Sequence, residues 1–184
     1  MELSHFISAE HARYNVALRK KLKTFDGTTD FENKYATTLR LLMKEIQKKS
    51  YSGHPCAYIG MLELYPRIRR HLTEDIFELN EKSYAAASYI EFLNRRKAPP
   101  SPDEIQQRVD NIKQNQKLIR DSCEQFLYPL FLYLHTKGYQ CVLNWSEAMG
   151  NYYFTVTIYW EDPPKGTIVF NPMTQELTPP TSGL

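Results

Sequence analysis

Glycine is scarce in this chain, seven residues in 184. Neither a GxGxxG run nor a Walker pattern occurs, which removes the glycine-rich cradles that hold phosphates. Cysteine is scarcer still. Cys56, Cys123 and Cys141 are an odd set with no CxxC spacing, which excludes a disulfide framework and suits a reducing compartment. The five histidines are scattered, and no two stand at the i, i+4 spacing of a helical zinc site. No metal and no cofactor is therefore expected. Long apolar runs are missing as well: the most apolar stretch, Phe126 to Leu134, contains Pro129 and falls far short of the ~20 residues that span a bilayer. The N-terminal stretch, MELSHFISAEHARYNVALRKK, puts acids and histidines where a secretory signal has its apolar core. These absences predict a soluble cytoplasmic protein, or one exported without a cleavable signal peptide.

Extreme charge is also lacking. The net formal charge is +2 and the isoelectric point 8.3, below the ~9 typical of a nucleic-acid footprint. Residues 1–137 hold 22 of the 23 Lys and Arg and 17 of the 21 Asp and Glu, a balance of +5, while residues 138–184 stand at −3. Low-complexity tracts and repeats of fixed period are absent, so the chain reads as a single domain over residues 1–184. Its parts are a helical region (1–96), a Pro-rich connector (97–102), a long helix with a β-meander (103–178) and a disordered tail (179–184).

What is present is two kinds of periodicity. Ser4 or Ser8 caps a helix that runs to about Lys23. Thr29-Asp30-Phe31-Glu32 has the form of a capping box, and the stripe behind it is Phe31, Tyr35, Leu39, Leu42, Met43 and Ile46. Pro55 is read as opening a short helix to Leu64, interrupted by Pro66. Thr73 is read as the cap of a helix to Arg96 that turns Ile76, Phe77, Tyr84, Ala87, Ile90 and Leu93 inward. Consecutive prolines break the chain at Pro99-Pro100, and the restart is strong: Ser101 as N-cap, Pro102 at N1, Glu104 at N3. In the helix that follows, Ile105, Val109, Ile112, Gln116, Ile119, Cys123 and Phe126 form a heptad seam, which could pair two copies or lie across neighbouring helices. Pro129 should kink it.

After Gly138 the period switches to two. Tyr139, Cys141, Leu143 and Trp145 point one way, and Tyr152, Phe154, Val156, Ile158 and Trp160 repeat the pattern after a loop over Ser146 to Asn151. Ile168 and Phe170 mark a third strand, with a short edge strand near Glu176–Leu177. The fold class is thus α+β, with N-terminal helices and one long kinked helix packed on a C-terminal antiparallel meander of three or four strands. The segment from Trp160-Glu161 to Asn171-Pro172-Met173-Thr174 resembles part of a WW domain, whose strands also end in an Asn/Thr-bearing turn. The second tryptophan of the proline-binding groove is lacking, so the resemblance implies a shared hairpin and no function.

Three function classes compete. The exposed side of the second strand, Tyr153, Thr155, Thr157 and Tyr159, suits a binding surface, because tyrosine is both apolar and hydrogen-bonding. With the heptad seam it favours a non-catalytic protein-binding module: an adaptor, a chaperone, an immunity-type inhibitor or an exported host-interacting factor. A homodimer through residues 105–126 is a further expectation. The alternative is a small hydrolase or transferase built on Cys56 beside His54, at a helix N-terminus that would acidify the thiol, or on Cys141 with His135. The third is nucleic-acid or anionic-lipid binding through Lys20, Lys21, Arg69, Arg70 and Arg95, cations that helix ends also attract.

Overall fold

A computed structural model describes residues 29–95, 101–174 and 176–178. The helix read over residues 4–23, with Lys20 and Lys21, the connector at 97–100 and the tail at 179–184 lie outside the described residues. The rest is an α+β fold of four α-helices with a three-stranded antiparallel sheet: α1 (Thr29–Tyr51), β1 (Cys56–Gly60), α2 (Met61–Ile68), α3 (Ile76–Asn94), α4 (Pro102–Thr136), β2 (Gln140–Ala148) and β3 (Asn151–Tyr159). The strand order is β1-β3-β2. A separate two-stranded hairpin follows, β4 (Val169–Asn171) with β5 (Glu176–Thr178). No described helix is long and apolar enough to cross a membrane.

The described chain forms two compact units: residues 29–56, 128–142 and 158–178 make one, and 57–127 with 143–157 the other.

In the first unit, α1 is described from Thr29 onward and buries Phe31, Tyr35 and Leu42. Met43, read as part of the inward stripe, turns outward at 57% exposure. Gly53 at φ +72° closes the helix: its N–H bonds the Ser50 carbonyl and that of His54 the Lys49 carbonyl, the paired bonds of a Schellman motif. The β4–β5 hairpin pairs Val169 with Thr178 and Asn171 with Glu176. Its turn is tied by the Asn171 side chain, which accepts from the Met173 N–H at 2.8 Å. The expected meander is thus corrected. β4 pairs with β5 alone, because β1 and β2 already occupy both edges of β3.

In the second unit the short helix expected from Pro55 is a strand. Ala57 and Ile59 are buried while Tyr58 faces out, the alternation of a half-buried strand. Helix α2 begins only at Met61 and buries Met61, Leu64 and Ile68, with Pro66 inside it. Helix α3 starts at Ile76 rather than Thr73: Asp75 is the N-cap, its carboxylate accepting from the Phe77 and Glu78 amides. The Thr73 and Glu74 amides donate instead to the buried Ser122 hydroxyl. Tyr84, expected inward, is exposed, and Leu79, Asn80 and Ser83 take the buried face. Helix α4 opens where Ser101-Pro102 directs it, with the Ser101 carbonyl accepting from Glu104 and Ile105. Of its seam, Ile119, Cys123 and Phe126 are buried and Ile105, Val109, Ile112 and Gln116 half-buried. The helix runs through Pro129 to Thr136 without interruption.

The expected loop over 146–151 shrinks to two residues. Met149 and Gly150 both have positive φ, +51° and +77°, the geometry of a type I′ hairpin turn that matches strand twist. A Cβ on Gly150 would lie 2.7 Å from the Ser83 carbonyl, so only glycine lets the turn meet α3 this closely.

Candidate functional site

The first unit holds a groove of about 380 Å³. One wall is the i, i+3, i+4, i+7 stripe of α1, namely Leu39, Leu42, Met43 and Ile46, with Gln47 beside it. The other comes from the end of α4, Tyr133 and Leu134, and from Lys137 and Tyr139 just beyond. A second Schellman motif builds this wall. Gly138 takes φ +88°, its N–H bonds His135, and the Tyr139 N–H bonds Leu134. That motif characteristically folds the residue after the glycine back over the last turn, which sets Tyr139 beside Leu134. The Lys137 ammonium lies 5.3 Å from the Tyr133 ring centroid, within cation–π reach. Phe31 stacks on Tyr35 at 4.5 Å and on Tyr133 at 5.4 Å, holding α1 and the end of α4 together beneath the groove. The lining is apolar save for one amide and one cation.

The sequence-derived sites fare differently. On β3, Tyr152, Phe154, Val156 and Ile158 are buried, as the alternation predicts. The opposite face is not the open surface expected: Thr157 is only 7% exposed, and Tyr153, Thr155 and Tyr159 are half-buried. Burial, aided by nearby Cys56, raises the Tyr159 pKa. Trp160 is half-buried.

Cys56 opens a strand rather than a helix, so the expected helix N-terminus is not there. His54 is exposed two residues earlier. Cys141 and Cys123 are buried; desolvation pushes the Cys123 thiol up to about 12 and the Cys141 thiol well above its usual value. Burial lowers the His135 pKa. Cys141 and His135 are both driven toward their neutral forms, which opposes a thiolate–imidazolium pair.

Arg69 and Arg70 lie exposed in the 3₁₀ turn Arg69–His71, where the Arg70 side chain donates to His71. Arg95 is the C-cap of α3 and is bonded to Glu91. Among the described residues no three His, Cys, Asp or Glu gather as a metal site would require.

Sequence periodicity marks Leu39, Leu42, Met43 and Ile46 only as core. The contribution of Tyr133, Lys137 and Tyr139 carries no local signal, because it depends on where α4 ends in space. Compared with protein-family models, curated proteins and solved structures, the chain matches none.

Proposed function

We propose that this protein is a non-catalytic protein-binding module whose contact site is the groove of the first unit. The observation that carries the reading is the groove's lining: four aliphatic or thioether side chains on one helix face two tyrosines, with Lys137 as the single charge. A groove of this kind suits the apolar ridge of an amphipathic helix, anchored at i, i+3, i+4 and i+7. Met43 is unbranched and adaptable, so it can follow an irregular ridge. Lys137 favours a ridge flanked by an Asp or Glu. The Cys/His alternative draws no support from Cys56, which opens a strand with His54 exposed, nor from the buried Cys141, and the anion-binding alternative none from an Arg95 already engaged with Glu91.

The test is a photo-crosslinking residue placed at Met43, with the exposed Leu62 of the second unit as control position. Polypeptide adducts from position 43, absent from 62 and reduced by Lys137→Glu, support the reading. Recovery of a lipid or other small molecule at position 43, or no polypeptide adduct at all, refutes it.

A further inference from the structure

The methionines of the described residues do not share one environment. Met61 is buried, whereas Met43, Met149 and Met173 are exposed. Of the exposed three, Met43 alone lines the groove. It stands in the middle of the α1 wall, with Leu39 one turn before it and Ile46 and Gln47 one turn after. An apolar ridge laid along this wall lies against its thioether. None of the three cysteines lines the groove, so Met43 carries the one sulfur among its described lining residues.

A thioether at that point has a chemistry that leucine or isoleucine would lack. Its sulfur can attack one oxygen of hydrogen peroxide. The O–O bond breaks, the transferred oxygen stays on sulfur as a sulfoxide, and the other oxygen leaves with both hydrogens as water. Sulfur is oxidised and peroxide reduced, and reductases specific for each sulfoxide epimer reverse the change. The product is polar and chiral where the thioether was apolar and flexible. Seated under an apolar ridge, that new oxygen would lose its water without gaining a donor from the ridge, which disfavours the contact. The same oxidation at Met149 or Met173 leaves the lining unchanged, since neither belongs to it.

We infer that Met43 is a peroxide-sensitive switch of the groove: as the thioether it accepts an apolar ridge, and as the sulfoxide it rejects one. The inference rests on the reading of the groove as a polypeptide-binding site.

The experiment leaves Met43 in place and puts the photo-crosslinking residue at Gln47, which is exposed beside it, in the full-length protein. The probe is a synthetic helical peptide with leucines at i, i+3, i+4 and i+7 flanked by glutamates. The protein is treated with hydrogen peroxide and then with dithiothreitol, which reverses thiol oxidation but not a sulfoxide, and mass spectrometry reads the state of Met43. Peptide adducts at a subsaturating concentration should fall by about tenfold or more once Met43 is a sulfoxide, and the two sulfoxide reductases together should restore them. In Met43→Leu the treated and untreated yields should be equal, although Met149 and Met173 still oxidise. Unchanged adducts with Met43 fully converted overturn the inference and leave the reading of the groove standing. An equal loss in Met43→Leu also overturns it, by placing the sensitive group elsewhere. No adduct even before oxidation overturns the reading of the groove, and the switch with it.

Discussion

In the first unit rings meet rings. Phe31, Tyr35 and Tyr133 form one cluster, and Phe170 sits against Tyr128 at 5.1 Å and edge-on to Phe131 at 5.6 Å. In the second unit rings pair as well, Tyr65 with Phe77 and Trp145 with Phe154, but a buried side-chain amide is added. The Asn80 side chain donates to the Tyr152 carbonyl at 3.0 Å and accepts from the Tyr152 N–H at 2.6 Å. It thus serves α3 as a strand neighbour would serve β3. Ser83 bonds back to Leu79, and Asn115 of α4 donates to the Ser83 hydroxyl. Trp145 stacks flat on Tyr152 at 4.8 Å, and Arg120 donates to the Tyr152 hydroxyl. Aromatic packing tolerates adjustment, whereas a buried amide pair is either satisfied or costly. The second unit should therefore be the more exacting about chemistry, and the first about volume.

Five substitutions at two positions break or sharpen that contrast. Phe131→Ala removes a fully buried ring and should cost about 3–5 kcal/mol, read by urea unfolding. Phe131→Leu should recover much of that loss, since volume is what the site needs. Asn80→Ala orphans both polar groups of Tyr152 and should cost about 3 kcal/mol; Asn80→Leu, though it fills the space, should recover none of it. Asn80→Asp carries a sharper signature. Its buried carboxylate would face the Tyr152 carbonyl, so its folded pKa would rise above the unfolded value. Stability should then be greatest in acid, where the carboxyl can donate, and fall as pH rises toward the raised pKa. A flat pH profile for this variant would refute the clamp.

Two glycines make a matched pair. Both have positive φ, but Gly53 opens onto empty space while a Cβ on Gly150 meets the Ser83 carbonyl. Gly150→Ala should cost about 2 kcal/mol and Gly53→Ala about 1, the difference reporting the contact with α3. The smallest effect is at Asp75. Its pKa is lowered by the hydrogen bond from Tyr65 and by the Glu78 and Phe77 amides. A depressed acid contributes above its unfolded pKa and loses that contribution as pH falls through the folded one. Asp75→Ala should cost about 1 kcal/mol near neutrality, and Asp75→Asn should remove the acid-side loss while keeping the cap.

Elements with strong local signals were legible in the residues. The start of α4 follows from Ser101-Pro102, and the buried side of β3 from its alternation. Strand β1 was hidden because five residues behind a proline are too short for period two to show, and Pro55 reads equally well as a helix start. Asn80 was hidden for another reason. A polar residue in a helix is taken for a solvated one, and only a strand arriving from far along the chain makes it a core residue. The groove was half legible: α1 announces its stripe, but the facing wall arises from a helix end some ninety residues later.

The Asn80–Tyr152 clamp also bears on how the protein is made. It joins residues 72 positions apart, so the inward face of α3 leaves the ribosome long before its partner strand exists. At synthesis rates of about 5–20 residues per second the interval is roughly 4–14 s. Through it the Asn80 amide can bond only to water, and α3 must wait with its inward face uncovered. A nascent chain halted before residue 151 should accordingly recruit holding chaperones to the residue 76–94 segment, and release them once the β2–β3 hairpin has emerged.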